Sequence, residues 1–504
     1  MDALLADVVR EQAAARPDDE ALVCGDRRLT WRQLDRHSSQ VANALLADGV
    51  APGDRVAVLA RNNAEFFEVA FGAAKAGGLT VGLNWRLGPG ELAAVLADAE
   101  PAVILVDDES AGLLPADGAA RMRVVRYGAD YVTWRDSAGD VDPAVAVAAA
   151  DVAYMLYSSG TTGLPKGVTL THANLAHSRL MARDGFRMDA DTVHMCAGPQ
   201  FHIAGAGTGL MAMFFGAKTV IIRDPAPAAL LETIATERVT HAFLVPALIQ
   251  VILDSPNLAE YDLTCLRQVS YGAAPMTEAL LRRAMDALGC TFLGVYGMTE
   301  TAGTVCTLPA EDHHTTGERA GLLRSVGRPL PWVELCVADL DTGKEVPPGV
   351  VGEIWVRSGQ VTPGYWRQPE TTAATLLADG WLRTGDGAYR DAEGYVYLKD
   401  RIKDMIISGG ENVYPAEVEN ALADHPDVSE VAVIGVPHER WGETVKAVVV
   451  LRPGATADAE AIRAFAKERI ASYKCPTSVD FVDALPRNPS GKVLKKDLRA
   501  TYAD

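Results

Sequence analysis

The stretch Tyr157 to Gly167 reads "YSSGTTGLPKG" and gathers Ser158, Ser159, Thr161 and Thr162 around three glycines, with Lys166 behind a proline. Backbone amides of a glycine-rich turn can converge on one anion, hydroxyls add donors, and a lysine supplies charge. That is equipment for gripping phosphate. The same composition also makes an ordinary surface turn. The spacing from Gly160 to Lys166 matches a Walker loop, but Pro165 stands where the second glycine belongs and Gly167 where a magnesium-binding Ser or Thr belongs. A P-loop kinase or GTPase signature is therefore excluded.

The elements that must position this loop follow from periodicity. Thr30 and Gln33 form a capping box opening a helix that Gly49 can close. "RVAVLA" from Arg55 reads as a buried strand, and "AEFFEVAFGAAKAGG" as the next helix. Further apolar strands start at Ala102, Lys218 and Thr240, each beside a helical stretch, which predicts parallel α/β layers. From about Gly327 the texture changes to short alternating segments separated by Pro and Gly, the pattern of a small β subdomain. After Arg401 the chain carries its own strands and helices, enough for a compact α+β domain. The expected division is 1–400 and 401–504.

Composition narrows the function classes. The 504 residues carry 66 acidic against 47 basic side chains, a net charge of -19, which repels nucleic acid rather than gathering it. The cysteines, at 24, 196, 265, 290, 306, 336 and 475, form no Cys-x-x-Cys pair, so neither a zinc site nor a disulfide framework is expected, and a reducing cytoplasm fits. The start "MDALLADVVREQ" lacks the basic end and apolar run of a secretory signal. The apolar segment Gly205 to Ile222 is long enough to raise a membrane span, but its four glycines and Lys218 favour a buried helix running into a strand. No integral membrane segment is expected; a homodimer is left open.

Five landmarks form a pattern: "YSSGTTGLPKG" at Tyr157, "YGMTE" at Tyr296, "TGD" at Thr384, "DRIKDMIISGGENVYPAEVE" at Asp400 and "NPSGK" at Asn488. In this order the chain resembles the adenylate-forming superfamily, in its acyl-CoA synthetase branch. The resemblance implies a large N-terminal domain, a small mobile C-terminal domain, and two half-reactions at one site. A carboxylate attacks the α-phosphate of ATP to give acyl-adenylate and pyrophosphate, and a thiol then displaces AMP.

By the same resemblance Lys492 approaches the α-phosphate and the substrate carboxylate. Glu300, with Thr161, helps hold Mg²⁺, and Thr299 touches the α-phosphate. Ser158, Ser159, Gly160, Thr161, Thr162 and Lys166 embrace the outer phosphates. Gly272, Ala273 and Ala274 line adenine, Tyr296 and Gly297 stack and pack on it, and Asp386 and Arg401 reach the ribose. Joining a carboxylate to a triphosphate requires cations aimed at the transition state, which is the chemical reason for such a set. The C-terminal domain is expected to turn about Lys403, bringing Ser408, Gly409 and Gly410 to a pantetheine tunnel where backbone without side chains is needed. His202 is expected on the wall between thiol tunnel and acyl pocket, where a purely structural histidine is an equal alternative.

The acyl pocket is expected to be walled by His202, Ala204, Val245, Tyr271, Gly297, Met298 and Gly303. It is mostly apolar, with no arginine for a second carboxylate, so a medium- or long-chain fatty acid or a bulky apolar acid is expected. No carrier domain follows Lys492, which favours free CoA as the thiol. The rivals are a stand-alone enzyme loading a carrier protein, a nucleotide-binding regulator without chemistry, and a phosphotransferase that would yield ADP. A basic cluster of Lys467, Arg469, Lys474 and Lys495 is a candidate for CoA phosphates, with exposed helix charges as its alternative.

Overall fold

A computed structural model describes residues 4–115, 122–158, 165–274, 276–408, 411–438, 441–487 and 493–502. By internal contacts the chain divides into two units. The first comprises 1–323, 327–334 and 357–382, and the second 324–326, 335–356 and 383–504.

The first unit is built on two sheets. In the nine-stranded sheet, Thr291–Met298, Gln268–Gly272, His241–Leu244, Val193–Cys196, Lys218–Ile221 and Glu20–Cys24 run parallel side by side. Antiparallel strands close it at either edge. In the seven-stranded sheet, Val152–Ser158, Leu79–Gly82, Arg55–Leu59, Val103–Val106 and Arg123–Arg126 are parallel, and Lys166–Thr171 returns antiparallel on Val152–Ser158. Fully buried Val and Leu runs are what parallel strands covered on both faces require. Leu22, Trp31, Phe67, Leu105, Leu156 and Leu210 share one core, so strands of both sheets and the helices beside them pack together.

Local signals set the element ends. Thr30 Oγ1 accepts the Gln33 amide and Gln33 Oε1 accepts the Thr30 amide, opening helix Trp31–Ala47, and Gly49 follows at φ +86°. The apolar run from Gly205 resolves into helix Ile203–Met213, a left-handed Gly216 and strand Lys218–Ile221. No helix among the described residues is long and apolar enough to cross a membrane. Glu68, on helix Glu65–Lys75, is fully buried and is met by His37 Nδ1 (2.9 Å), Tyr131 Oη (2.6 Å), an Arg135 guanidinium nitrogen (3.2 Å) and Arg27.

The second unit holds two sheets. Glu334–Ala338, Gly352–Arg357, Leu382–Arg390 and Val396–Arg401 lie in that order in one; the first residue of this set and Arg357 with Leu382 belong by contacts to the first unit. In the other, Val428–His438 and Gly442–Leu451 form a long antiparallel pair, with Ser478–Phe481 parallel on the second and Ile406–Ser408 on its end. Helices Pro415–Ala423 and Ala459–Lys467 contribute Val418, Leu422, Ile462 and Ala466 to its core.

Candidate active site

Open α/β sheets bind ligands beyond the carboxyl ends of their parallel strands. In the first unit the sequence-predicted residues fall there. Ser158 ends Val152–Ser158, and the antiparallel return makes Lys166 its register partner, so the two flank the mouth of the phosphate loop. Ser159, Gly160, Thr161 and Thr162 lie outside the described residues. The hairpin is fastened below that mouth. Tyr157 Oη donates to Asp98 Oδ2 (2.6 Å), Trp366 Nε1 donates to the Asp98 carbonyl (3.0 Å), and the Trp366 amide donates to the Gly167 carbonyl (2.7 Å). A Cβ on Gly167 would stand 3.2 Å from Trp366 Cβ and 3.0 Å from Met155 Sδ, so a side chain there would press on the tryptophan that pins the loop.

The turn after Thr291–Met298 presents Thr299 and Glu300. The pairing with Gly303–Leu308 shifts register between Tyr296 and Gly297, a bulge that re-aims the strand end. Thr301 Oγ1 accepts the Met298 amide (3.1 Å) and donates to the Gly303 carbonyl (2.7 Å). Gln360 Nε2 donates to the carbonyls of Thr301 and Thr304 (2.8 and 2.9 Å), and the Thr362 amide donates to the Glu300 carbonyl (2.8 Å). Glu300 is 7 % exposed; its Oε1 accepts from Tyr365 Oη at 3.0 Å, and its Oε2 has no partner among the described residues. Lys166 Nζ lies 5.2 Å from the centre of the same tyrosine ring and is paired with no carboxylate among the described residues.

This donor set fits a hard divalent cation. Mg²⁺ takes one or two protein carboxylates and completes its shell with phosphate and water. Glu300 offers one carboxylate oxygen without a partner among the described residues, which contain no group of three or more His, Cys, Asp or Glu that would make a dedicated metal cage.

The adenine and acyl residues are distributed along neighbouring strand ends. Gly272 ends Gln268–Gly272, where a Cβ would stand 2.7 Å from Val295 Cγ2, and Ala273 follows at φ +62°. Ala274 is next, and Tyr296 is buried on the adjacent strand. Val245 caps helix Pro246–Leu253 after His241–Leu244. His202 caps helix Ile203–Met213, its Nδ1 accepting the Ala204 amide at 3.1 Å, so Nδ1 carries no proton in this arrangement. Gly303 is at φ +121° against Met181.

Tyr271 is placed differently from its neighbour Gly272. Successive strand residues face opposite ways, and the Tyr271 ring packs in the helix-side core near Phe292. His313 Nδ1 donates to the Pro309 carbonyl (2.9 Å), leaving Nε2 to accept from Tyr271 Oη (3.1 Å). Burial lowers the His313 pKa, in keeping with this neutral tautomer.

In the second unit Asp386 and Arg401 are register partners on the antiparallel strands Leu382–Arg390 and Val396–Arg401. By internal contacts both belong to this unit. Glu353 clasps the turn before Asp386, its Oε1 accepting the Gly385 amide and its Oε2 accepting Arg383 Nε, each at 3.0 Å, while Gly385 adopts φ +72°. Lys403 occupies the 3-10 turn Ile402–Asp404, within the same unit; its side chain and that of Arg401 are outside the description. Ser408 pairs with Glu411 and Gly442. Gly409, Gly410 and Lys492 lie outside the described residues. Of the basic cluster, Lys474 pairs with Glu417 (2.7 Å), Lys495 with Glu419 (2.9 Å) and Arg469 with Glu468 (3.3 Å), so these three cations are already engaged.

Sequence reasoning missed Gln360, Thr362, Tyr365 and Trp366, which hold the Glu300 turn and the phosphate hairpin. Their one local signal is an aromatic pair, "GYW", set between Pro363 and Pro369.

Comparison with known proteins gives the family. Residues 9–366 match the family described as AMP-binding enzyme, and 417–492 match the AMP-binding enzyme C-terminal domain. The chain is 39 % identical over 496 residues to a fatty acid–[acyl-carrier-protein] ligase, ScoC, of Streptomyces coeruleorubidus, covering 97 % of this chain and 95 % of that one. It is 40 % identical over 492 residues to a feruloyl-CoA synthase of an Amycolatopsis species, covering 97 % of each. Among solved structures, ATP-bound MatB of Rhodopseudomonas palustris superposes with a TM-score of 0.91 at 34 % identity over 99 % of each chain. The chain thus belongs to the AMP-binding, adenylate-forming enzyme family, with the α/β fold of its acid–thiol ligases.

Proposed function

We propose that this enzyme activates a medium- or long-chain fatty acid, or a bulky apolar acid, with ATP to an acyl-adenylate and transfers the acyl group to CoA, a step of fatty-acid or related lipid metabolism. The observation that carries the reading is that one tyrosine holds a cation and a carboxylate, neither of them in an ion pair among the described residues: Lys166 over the Tyr365 ring and Glu300 on its hydroxyl. Such a pair suits a nucleotide triphosphate accompanied by Mg²⁺, with Lys166, Ser158 and the 159–164 loop on the outer phosphates and Glu300 as metal ligand. A Mg²⁺ held by Glu300 would supply neutralisation of charge on the phosphates. In this reading Lys492 is assigned to the attacking carboxylate and the α-phosphate, and Asp386 with Arg401 to the ribose. The small or apolar Ala204, Val245, Gly297, Met298 and Gly303 support an apolar acid.

The thioester step is assigned to a turn of residues 401–504 about Lys403, which brings Ser408, Gly409 and Gly410 against pantetheine. A carrier-protein acceptor is the second reading, favoured by the carrier-protein ligase at 39 % identity. Pyrophosphate release measured across saturated fatty acids, aryl-propenoic acids and short dicarboxylic acids, with CoA or acyl-carrier protein as acceptor, tests both. Turnover confined to short dicarboxylic acids would overturn the apolar-acid reading, and thioester formed on carrier protein alone would select the second.

A further inference from the structure

Tyr365 lies outside the five motifs that carry the resemblance, yet it touches both Lys166 and Glu300. Its strand Gly364–Tyr365 pairs antiparallel with Lys166–Thr171, and its amide donates to Thr372 Oγ1 at 3.0 Å, so the ring is carried on two fixed attachments. From there the hydroxyl donates to Glu300 Oε1 at 3.0 Å while Lys166 Nζ rests 5.2 Å from the ring centre. Ammonium and carboxylate lie against one side chain, and no ion pair joins them. Without the ring, the ammonium and the buried carboxylate would be drawn together and each would cancel the other.

We infer that Tyr365 is a positioning residue that keeps Lys166 and Glu300 apart and aims the Glu300 carboxylate, so that the one stays available to phosphate and the other to a divalent cation. This rests on the proposed nucleotide site. The hydroxyl and the ring have separable tasks. The hydroxyl orients Glu300, as outer partners of ligating carboxylates do, and losing such a partner weakens metal binding about 10- to 100-fold. The ring alone keeps the two charges from pairing and gives Lys166 a cation–π seat.

The experiment uses Mn²⁺ as probe, with free Mn²⁺ followed by electron paramagnetic resonance in the presence of a non-hydrolysable ATP analogue. Wild type, Tyr365→Phe, Glu300→Gln and the double variant are compared, with melting temperatures alongside. Tyr365→Phe keeps the ring and should weaken Mn²⁺ binding about tenfold at an unchanged melting temperature. In the Glu300→Gln background the same change should add nothing, because the hydroxyl acts through that carboxylate. Tyr365→Leu should in addition weaken binding of the ATP analogue without metal, as Lys166 turns to Glu300. Unchanged Mn²⁺ affinity in Tyr365→Phe, or additive losses in the double variant, would overturn the inference while wild-type AMP formation left the proposed function standing. A wild-type protein that bound no Mn²⁺ with the analogue and formed no AMP would overturn both.

Discussion

Gly297 is the tightest point of the turn that presents Thr299 and Glu300, and Gly297→Ala tests whether that turn sets the chemistry. A Cβ at 297 would stand 2.6 Å from the Gly303 carbonyl carbon and 2.8 Å from Thr304 Cα, backbone atoms of the opposing strand that no rotamer change can move. Carbon atoms in ordinary contact lie about 3.5–4.0 Å apart, so the two strands must separate by roughly 1 Å. Overpacking of this kind costs about 1–3 kcal/mol, which a unit with a core this large survives. A displacement of about 1 Å at reacting groups, however, can cost about 10²-fold in rate. Gly297→Ala should therefore melt a few degrees lower while ATP–pyrophosphate exchange falls about a hundredfold. Gly90, in helix Pro89–Ala99 with nothing within 4 Å of an added Cβ, is the control; Gly90→Ala should leave exchange unchanged and stabilise the helix slightly. A Gly297→Ala enzyme with parental exchange would show that the bulge does not position Glu300.

Two more outcomes are expected. Burial opposes ionisation of Glu68, but its hydrogen bond with His37, the charges of Arg27 and His37 and the hydrogen bond from Tyr131 outweigh it and hold the carboxyl at about 2 against 4.5 in the unfolded chain. Because the folded value is the lower one, the stability it contributes is full above about pH 4.5 and is lost as pH falls towards 2. Chemical denaturation of wild type and Glu68→Gln should show a gap of about 3 kcal/mol near neutrality that narrows below pH 4.5; a gap independent of pH would contradict the assignment. At the site, Lys492→Ala should lose adenylation by about 10²–10³-fold yet still convert synthetic acyl-adenylate and CoA to thioester. Lys403→Pro, which fixes φ at the proposed pivot, should show the reverse split; equal losses in both assays for either variant would refute the alternation.

Much of the scaffold was legible because its signals are local. Thr30, Gln33 and Gly49 mark both ends of one helix within twenty positions, and the parallel strands announce themselves as short apolar runs. Gly216 at φ +71° and the following Lys218 break what hydropathy alone would read as one long apolar segment. What was not legible depends on partners far apart in the chain. Tyr365 meets Glu300 across 65 positions, and Gln360 reaches Thr301 across 59, distances that no periodicity encodes. Buried charges are hidden for the same reason: Glu68 is fully buried among partners such as His37 and Arg135, which arrive from 31 and 67 positions away. Tyr271 shows a local limit, since adjacency to Gly272 in sequence means the opposite face of the sheet. The basic cluster near the C-terminal end read as open charge until Glu417 and Glu419 were seen to occupy two of its lysines.

The central claim is that the substrate carboxylate attacks the α-phosphate of ATP and that AMP leaves when the thiol arrives. Turnover of a fatty acid carrying oxygen-18 in both carboxylate positions, with ATP, Mg²⁺ and CoA, tests it most directly by mass spectrometry of the products. The carboxylate oxygen that bonds to phosphorus stays with it when sulfur attacks the acyl carbon. A single labelled oxygen should therefore appear in AMP, with unlabelled pyrophosphate and the second label in the thioester carbonyl. Label in inorganic phosphate accompanied by ADP would contradict the account.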